Sequence, residues 1–462
     1  MKTIIGLEIH VQLATNSKLF CSCPTKNSVE EKPNTRTCEI CLGMPGSKPV
    51  LNKKAVEYAL MVASALNCKI NKEFFFSRKT YFYPDLAKNF QITQYEIPVG
   101  EKGYLEIDGK KIGITRVHLE EDPASLVHES GMNSSNYSLV DYNRSGIPLV
   151  EIVTDPDMNS PEEARKFMDK LLAILNYLGV YEHGVSVMKA DCNLSKEGSS
   201  RVEIKNVTGF KSIEDALKSE EERQEKAIAN KEKIVLETRA FDSDSLSTYS
   251  LRKKETENDY GYIFDADLVK TEISEDWLNQ IKEKIPELPE QKAVRFMKEF
   301  GLKEYDAKVI ASNKIIAELF EKVAKIDSSI AVRLISRELM GILNYNKISI
   351  EETQVKSSAI ISLAELIKQG KVGDKNTKES LIKYVLEGTE PKEFLEKNNL
   401  LIDVSSADLE NIVKEVISEN KSVFEEFKAG NQKSLNFLMG LVIRKMKGKA
   451  DAKKVKEIIE AI

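Results

Sequence analysis

The sequence lacks any long hydrophobic run. Its 462 residues contain no apolar stretch close to the roughly 18 residues that a membrane span requires. Glu8 and His10 interrupt the short apolar start, so the N-terminus is a poor signal peptide. We therefore expect a cytoplasmic protein with no membrane partner. The net charge of -5 also argues against a protein that coats nucleic acid nonspecifically.

Familiar nucleotide-binding loops are absent as well. The chain has neither G-x-x-x-x-G-K-[ST] nor G-x-G-x-x-G after a predicted strand, so an ATP site would not be of the P-loop or Rossmann type. It also has no G-x-S-x-G segment, which argues against a serine nucleophile on a hydrolase elbow. Any chemistry in this chain must therefore use other residues.

Proline becomes scarce in the second part of the chain. After residue 270 only Pro286, Pro289 and Pro391 remain, and Lys/Glu-rich helical patterns replace the strand patterns of the first part. This change predicts an α+β protein whose first domain is built on a mainly antiparallel sheet with helices. Two all-helical domains are expected to follow it. The predicted domains are 1–285, 286–345 and 346–462.

One predicted helix of the first domain is marked at both ends. Ser160 is expected to cap it, Pro161 occupies the first turn, and Gly179 stops it.

Polar and apolar residues alternate along several predicted strands. Side chains two residues apart on a strand point the same way, so Glu8 and His10 share a face. The polar faces of the other alternating strands carry Arg116, His118, Glu120, Lys189, Asp191, Asn193, Glu203 and Lys205. Glu121 directly follows one of these faces, and Glu151 lies in a largely apolar run.

These residue types suit a site for metal and phosphate. Mg²⁺ prefers oxygen ligands and is usually held by carboxylates together with phosphate. Cations such as Arg116 and Lys189 can offset charge on a phosphoryl group during its transfer. The alternative is that these strands simply show the solvated face of an antiparallel sheet.

Four of the six cysteines are clustered. Cys21 and Cys23 form a Cys-x-Cys pair, and Cys38 and Cys41 form a Cys-x2-Cys pair after fourteen residues. In a reducing compartment this spacing favours a structural Zn²⁺ with four thiolate ligands over disulfides. The alternative is four free cysteines packed near one another.

The C-terminal end is basic. Residues 421–462 contain ten Lys/Arg and five Asp/Glu, which leaves a net charge of -10 on the rest of the chain. A basic helical end on an acidic protein is typical of a contact with a nucleic-acid backbone. A solvated, lysine-rich helix face would give the same pattern.

Several long motifs resemble one known family, the B subunits of the tRNA-dependent amidotransferases. They are IGLEIHVQLATNSKLFC (5–21), RKTYFYPDLAKNFQITQYE (78–96), HLEEDPA (118–124), DYNRSGIPLVEIVTDPD (141–157) and MKADCNLS (188–195). LNFLMGLVIRKMKGKADAKKV (435–455) resembles the C-terminal tRNA-contacting tail of this family, so the resemblance spans nearly the whole chain in order.

The resemblance implies a fold and a reaction. The first domain would be a cradle similar to that of glutamine synthetase. ATP, with Mg²⁺, would phosphorylate the side-chain carboxylate of a misacylated Glu-tRNA(Gln), Asp-tRNA(Asn) or both, and ammonia would displace the phosphate. The implied partners are the misacylated tRNA, an amidase (the A subunit of such enzymes) that supplies the ammonia, and the small C subunit.

Matching motifs also imply roles for individual residues. The metal and phosphate cluster would consist of Glu8, His10, Glu120, Glu121, Glu151 and Asp191. The aromatic and basic stretch beside it would bind nucleotide or substrate through Arg78, Lys79, Tyr81, Tyr83, Asp85, Lys88, Asn89 and Gln91. That stretch could equally be a core strand with a turn at Tyr83–Pro84. The tail would contact tRNA through Arg444, Lys445, Lys447, Lys449, Lys453 and Lys454.

Two other functions compete with this hypothesis. One is a zinc-containing scaffold that only presents tRNA to another enzyme. The other is an ATP-dependent ligase, similar to glutamine synthetase, that acts on free glutamate. The carboxylate-bearing strands count against the scaffold, and the basic tail counts against the ligase.

Overall fold

The computed structural model describes residues 1–26, 31–128, 137–253, 261–402, 406–446, 450 and 452–462. The chain forms two compact units, Met1–Leu288 and Pro289–Ile462. The first is a sheet with helices and the second is helical, which confirms the predicted α+β class.

The first unit is built on one large sheet. Its strands and those of two small two-stranded sheets (β3 with β16, and β8 with β9) are β1 (Thr3–Gln12), β2 (Lys69–Ile70), β3 (Glu73–Phe74), β4 (Ser77–Thr80), β5 (Phe90–Thr93), β6 (Gly100–Ile107), β7 (Lys110–Glu121), β8 (Ser125–Val127), β9 (Leu139–Asp141), β10 (Pro148–Thr154), β11 (Met188–Lys196), β12 (Val202–Thr208), β13 (Glu237–Asp242), β14 (Ser247–Lys253), β15 (Gly261–Phe264) and β16 (Thr271–Glu272). The large sheet has the order β14-β13-β12-β11-β1-β10-β7-β5-β4-β15, and β6 also pairs with β7 and β2. Of its pairings in the described residues, β12–β13 is parallel and the others are antiparallel.

Helices cover one face of this sheet. They are α1 (Lys53–Ala65), α2 (Pro161–Leu178), α3 (Phe210–Ala229) and α4 (Glu275–Glu283). Ser160 caps α2 by accepting a hydrogen bond from the Glu163 N–H, and Gly179 ends it with φ 67°, so both predicted ends are confirmed.

The alternation of β1 separates the core from the site. Ile5, Leu7 and Ile9 are at most 1% exposed and belong to the core that includes residues of all four helices. Glu8 and His10 therefore lie on the opposite face of the central strand. The same division repeats along the neighbouring strands, so the polar side chains collect on the sheet face away from the helices.

The second unit is helical throughout the residues that are described. Its helices are α5 (Pro289–Phe300), α6 (Glu304–Ala311), α7 (Lys314–Ala324), α8 (Ser328–Ala331), α9 (Met340–Asn346), α10 (Ser357–Lys368), α11 (Asp374–Glu387), α12 (Pro391–Lys397), α13 (Ser406–Glu419), α14 (Lys421–Lys428), α15 (Gln432–Lys445) and α16 (Ala452–Ala461). A π-helical segment, Val332–Leu339, joins α8 to α9. A separate small core, which includes Val413, Leu438 and Val455, packs the last helices together. No helix within the described ranges is long and apolar enough to cross a membrane.

Candidate active site and metal centres

His10, Glu120 and Glu151 meet in a group that we call the histidine cluster. Nε2 of His10 lies 3.5 Å from Oε1 of Glu120 and 3.4 Å from Oε2 of Glu151. Both glutamates are buried, whereas the His10 side chain remains 26% exposed. The cluster is therefore accessible from one side.

The strand register brings these three residues together. His10 on β1 lies opposite Glu151 on β10, and Glu151 lies opposite His118 on β7. Glu120 follows His118 by two residues on β7 and so points to the same face. The site is thus assembled from segments that are far apart in the sequence.

The electrostatics of the histidine cluster favour a cation. Burial lowers the pKa of His10, but its hydrogen bond to Glu151 and the charges of Glu151, Glu120 and Asp191 raise it to about 10. Burial and the charge of Glu151 raise the pKa of Glu120. Burial also opposes ionisation of Glu151, yet His118 and His10 hold the pKa of that carboxyl well below its usual range. Buried carboxylates that need a positive partner are suited to a divalent ion.

His118 contacts both glutamates of this cluster and was not among the predicted site residues. It is 2% exposed, and its Nε2 lies 3.2 Å from Oε2 of Glu151. Its Nδ1 has no hydrogen-bond partner among the described residues. The alternation of β7 had placed His118 on the polar face, and only the register showed that it contacts Glu151.

Glu8, Asp191 and Glu203 form a second group, the carboxylate cluster. One carboxylate oxygen from each lies within 4.8 Å of the others. Glu8 on β1 is opposite Asp191 on β11, and Asn193 on β11 is opposite Glu203 on β12. The cluster lies beside the histidine cluster, because Glu8 precedes His10 by two residues on the same face of β1.

Polar neighbours hold the carboxylate cluster in place. The Asn193 amide donates to Oε1 of Glu8 at 3.0 Å, and Nζ of Lys205 donates to Oδ2 of Asp191 at 3.1 Å. The Thr238 hydroxyl donates to Oε2 of Glu203 at 2.9 Å. Glu203 is a cluster member that the predicted site residues did not include, although its alternating strand had placed it on a polar face.

Glu121 belongs to neither cluster. Its Oε2 lies 2.5 Å from Nζ of Lys88, and its Oε1 accepts a hydrogen bond from the Ile92 N–H at 2.8 Å. Gln91 donates to the Glu121 carbonyl at 2.8 Å. Because Glu121 directly follows Glu120 on β7, its side chain points to the other face of the strand. The structure thus divides the six residues assigned to one metal and phosphate cluster among three environments.

Arg78 and Lys79, at the start of the aromatic stretch, lie on β4, which pairs with β5 and β15. Nε of Arg78 lies 3.1 Å from Oδ2 of Asp265, which is 0% exposed, and its guanidinium stacks 4.6 Å from the ring centroid of Phe90. Hydrogen bonds and the charges of Asp265 and Asp267 raise the pKa of Arg78. Lys79 Nζ lies 6.0 Å from the Tyr81 ring.

The rest of that stretch forms a turn at the surface. Tyr83 is 53% exposed, and its carbonyl accepts a hydrogen bond from the Leu86 N–H, so a turn lies at Tyr83–Pro84, where the core-strand alternative also placed one. Asn89 has φ 65° and donates its N–H to the Leu86 carbonyl. Asp85 is half-buried, with no hydrogen-bond partner for Oδ1 among the described residues, and burial raises its pKa. Asp85, Lys88, Gln91 and Glu121 line one small pocket.

Two further predicted cations lie on the polar side of the sheet. Arg116 precedes His118 by two residues on β7, and its buried Nε has no hydrogen-bond partner among the described residues. Lys189 is opposite His10 in the β1–β11 register. Burial and the charge of Arg144 lower the pKa of Lys189.

The four clustered cysteines converge on one point. The sulfurs of Cys21, Cys23, Cys38 and Cys41 all lie within 4.8 Å of one another. The Cys38 and Cys41 sulfurs are 3.9 Å apart, close to the spacing of about 3.8 Å that zinc–sulfur bonds of 2.3 Å give in a tetrahedron. A hydrogen bond from Cys21, with further help from the Cys38 N–H and Lys18, lowers the pKa of Cys41 to about 4. The donor set and its geometry therefore fit Zn²⁺.

The basic tail residues are partly accessible. Arg444 and Lys454 are exposed. Nζ of Lys445 lies 2.9 Å from carboxylate oxygens of Glu415 and of Glu419. Lys447 and Lys449, as well as the side chain of Lys453, lie outside the described residues.

These features define a two-unit protein whose sheet carries a pair of clusters that could hold cations and whose helical unit ends in a basic segment. Comparison with known proteins gives the family. Residues 3–279 match the family model described as the GatB/GatE catalytic domain, and residues 318–462 match the GatB domain. The chain belongs to this family, and the resemblance read from its motifs is confirmed.

The relatives are similar along their full length. The B subunit of the aspartyl/glutamyl-tRNA(Asn/Gln) amidotransferase from Thermotoga neapolitana is 42% identical over 479 residues, which cover 100% of this chain and 98% of that protein. The protein of the same name from Saccharolobus solfataricus is 42% identical over 465 residues, covering 99% and 98%. That from Carboxydothermus hydrogenoformans is 39% identical over 472 residues, again covering 99% and 98%.

Proposed function

We propose that this chain is the tRNA-binding, ATP-using component of a tRNA-dependent amidotransferase. It converts the side-chain carboxylate of misacylated Glu-tRNA(Gln), Asp-tRNA(Asn) or both into an amide. The names of its relatives support the reaction class. The observation that carries the proposal is the placement of the histidine and carboxylate clusters side by side along β1.

The two clusters fit Mg²⁺ because five of their six donor residues are carboxylates, whose oxygens hard cations prefer. Glu120, Glu151 and His10 would hold one ion, and Glu8, Asp191 and Glu203 would hold another. Bound there, Mg²⁺ would neutralise charge on the triphosphate and on the phosphoryl group being transferred.

The remaining residues orient the reacting groups. A substrate carboxylate oxygen attacks the γ-phosphorus of ATP, the bond from that phosphorus to the bridging oxygen breaks, and ADP leaves. Arg116 and Lys189 lie on the same polar side and offset the charge of the phosphoryl oxygens. Ammonia then attacks the acyl carbon, the bond to the phosphate oxygen breaks, and a proton leaves the nitrogen to give the amide.

The ammonia comes from a partner in this proposal. The chain has no G-x-S-x-G nucleophile segment, so the amidase partner, the A subunit, releases ammonia from glutamine, and the small C subunit completes the assembly. The aromatic and basic stretch 78–91 binds nucleotide or substrate beside the clusters. Cys21, Cys23, Cys38 and Cys41 would hold a structural Zn²⁺.

The helical residues provide the tRNA contact. We assign the catalytic role to 1–285, a linking role to 286–345 and tRNA binding to 346–462. Arg444, Lys445, Lys447, Lys449, Lys453 and Lys454 contact the phosphate backbone, which the net positive charge of residues 421–462 supports.

One measurement separates this function from its competitors. The chain is assembled with its partner amidase, and ATP hydrolysis is followed with misacylated tRNA, with correctly acylated tRNA, or with free glutamate. The proposal expects hydrolysis and amide formation only with misacylated tRNA. Hydrolysis with free glutamate alone would favour the ligase, and no hydrolysis under any condition would favour the scaffold.

A further inference from the structure

Three segments of the first unit meet around the four cysteines. The Leu19 N–H donates to the Gly146 carbonyl at 2.8 Å, and the Ser145 hydroxyl donates to the Cys41 carbonyl at 3.3 Å. The Arg36 N–H donates to Oδ1 of Asn143 at 2.7 Å. Residues 142–147, which we call the entry loop because they lead into β10, therefore rest directly on the cysteine cluster.

Lys18 lies at the centre of this junction. Its side chain is 0% exposed, and Nζ donates to the Arg36 carbonyl at 2.8 Å and to the Tyr142 carbonyl at 3.3 Å. The sulfur of Cys41 is 3.7 Å from the same nitrogen. Among the described residues, Cys41 is the only side chain that Lys18 contacts through a hydrogen bond or an ion pair. Burying an ammonium group is costly unless a negative group lies beside it.

A zinc ion with four thiolates carries a net negative charge, which supplies such a group. We propose that Lys18 is the positioning residue of this metal centre: it offsets the charge of the thiolates and ties the centre to the entry loop. The inference rests on the proposed zinc occupancy and is independent of the transamidation chemistry. Hydrogen-bond donors around a metal site commonly set its affinity, because they fix and tune the ligand atoms.

The entry loop connects the metal centre to the catalytic sheet. Nε of Arg144 donates to the Pro123 carbonyl at 2.9 Å and lies 3.4 Å from Oδ1 of Asp122. Oδ2 of Asp122 accepts a hydrogen bond of 2.7 Å from Gln12, which follows His10 by two residues on β1. Loss of the metal should therefore loosen the entry loop and the contacts of Arg144 at the end of the central strand.

The first test measures the metal site itself. Zinc affinity is determined for the full chain and for Lys18→Met by competition with a chromogenic chelator. Lys18→Met keeps the length of the side chain and removes its charge, and we expect a loss of affinity of about tenfold or more. Lys26→Met is the matched control, because Lys26 is exposed and pairs with Glu182.

A spectroscopic readout separates a charge effect from a packing effect. In cobalt-loaded protein, the thiolate-to-metal charge-transfer band should move to lower energy in Lys18→Met, because the sulfurs lose a positive neighbour. Lys26→Met should leave the band unchanged. Unchanged zinc affinity together with an unchanged band in Lys18→Met would overturn the role of Lys18, as would a wild-type chain that binds no zinc.

The second test needs no variant and applies even if Lys18→Met does not fold. Amide hydrogen exchange is compared between zinc-loaded and chelator-treated wild-type chain. The N–H groups of Ser145, Gly146 and Ile147 donate to backbone carbonyls, and we expect their exchange to accelerate when zinc is removed. The paired residues of β6 and β7 around Tyr104–Ile112 serve as the internal reference. Equal exchange of the entry loop with and without zinc would overturn the coupling.

Discussion

Nε2 of His10 lies 3.4 Å from Oε2 of Glu151, and the two residues face each other across the antiparallel pair β1–β10. The distance and the register have the same origin, because directly opposed residues on neighbouring strands hold their side chains close together. This pair joins the only imidazole on β1 to a carboxylate that is itself contacted by His118. A change in the Glu151 side chain should therefore alter the charge and the contacts of the whole histidine cluster.

Glu151→Gln should abolish the ATP-dependent step. The change keeps the shape of the side chain but removes a charge that a cation in the histidine cluster requires, and we expect a loss in kcat of roughly a hundredfold or more. The measurement is misacylated-tRNA-dependent ATP hydrolysis in the assembled enzyme. Glu197→Gln, at an exposed turn after β11, should keep full activity. A Glu151→Gln enzyme with normal kcat would remove Glu151 from the site.

His10 should contribute a pH-dependent stability in protein free of divalent ions. Its folded-state pKa is raised from 6.5 to about 10, so the stabilisation is fully present below pH 6.5 and disappears as the pH rises to 10. The free energy of unfolding of His10→Gln should therefore approach that of the wild type at high pH. Denaturant titrations between pH 6 and 10 check this, with the exposed His183→Gln as control. A difference from the wild type that grows with pH would contradict the assignment.

Cys38→Ser should lower both zinc content and thermal stability. Three thiolates bind Zn²⁺ less tightly than four, and an ion bound by ligands from separate segments would contribute its binding free energy to folding. Metal analysis and thermal unfolding provide the measurements. Cys68→Ser is the matched control, because Cys68 lies outside the four-cysteine cluster. A Cys38→Ser chain with the same zinc content and melting temperature as the Cys68→Ser chain would show that Cys38 is not a ligand of a structural ion.

Arg444→Glu combined with Lys454→Glu should weaken tRNA binding without affecting the fold. Both residues are exposed in the basic end of the second unit, and each lost phosphate contact reduces the dependence of binding on salt. We expect a weaker affinity at low salt and a slope of log K against log salt that is smaller by about two. Filter binding across a salt series measures both, and Lys211→Glu in the first unit should change neither. An unaltered slope would place the tRNA contact elsewhere.

The local patterns of the sequence predicted much of this protein. The ends of α2 followed from Ser160 and Gly179, because a cap and a helix stop depend on a few adjacent residues. The shared face of Glu8 and His10 followed from the period of two in a strand. The close approach of the cysteine sulfurs agrees with their paired spacing.

Other features of the site depend on which strands become neighbours. The predicted site residues did not include His118 or Glu203, which contact the clusters. Glu121 was assigned to the metal and phosphate cluster, but in the structure it pairs with Lys88 instead. Lys18 has no local pattern that would mark it, because its partners at residues 36, 41 and 142 are distant in the chain. None of these relationships repeats with a local period.

The sequence by itself determined which faces of the alternating strands are polar, where α2 begins and ends, and which four cysteines could share a metal. These properties arise from backbone geometry and from interactions within a few residues. Only the tertiary structure decided that the acidic residues of β1 and its neighbours divide into two clusters, and that Lys18 is enclosed beside Cys41. The physical reason is that strand register and burial result from packing between distant segments, and that packing is optimised for the whole core.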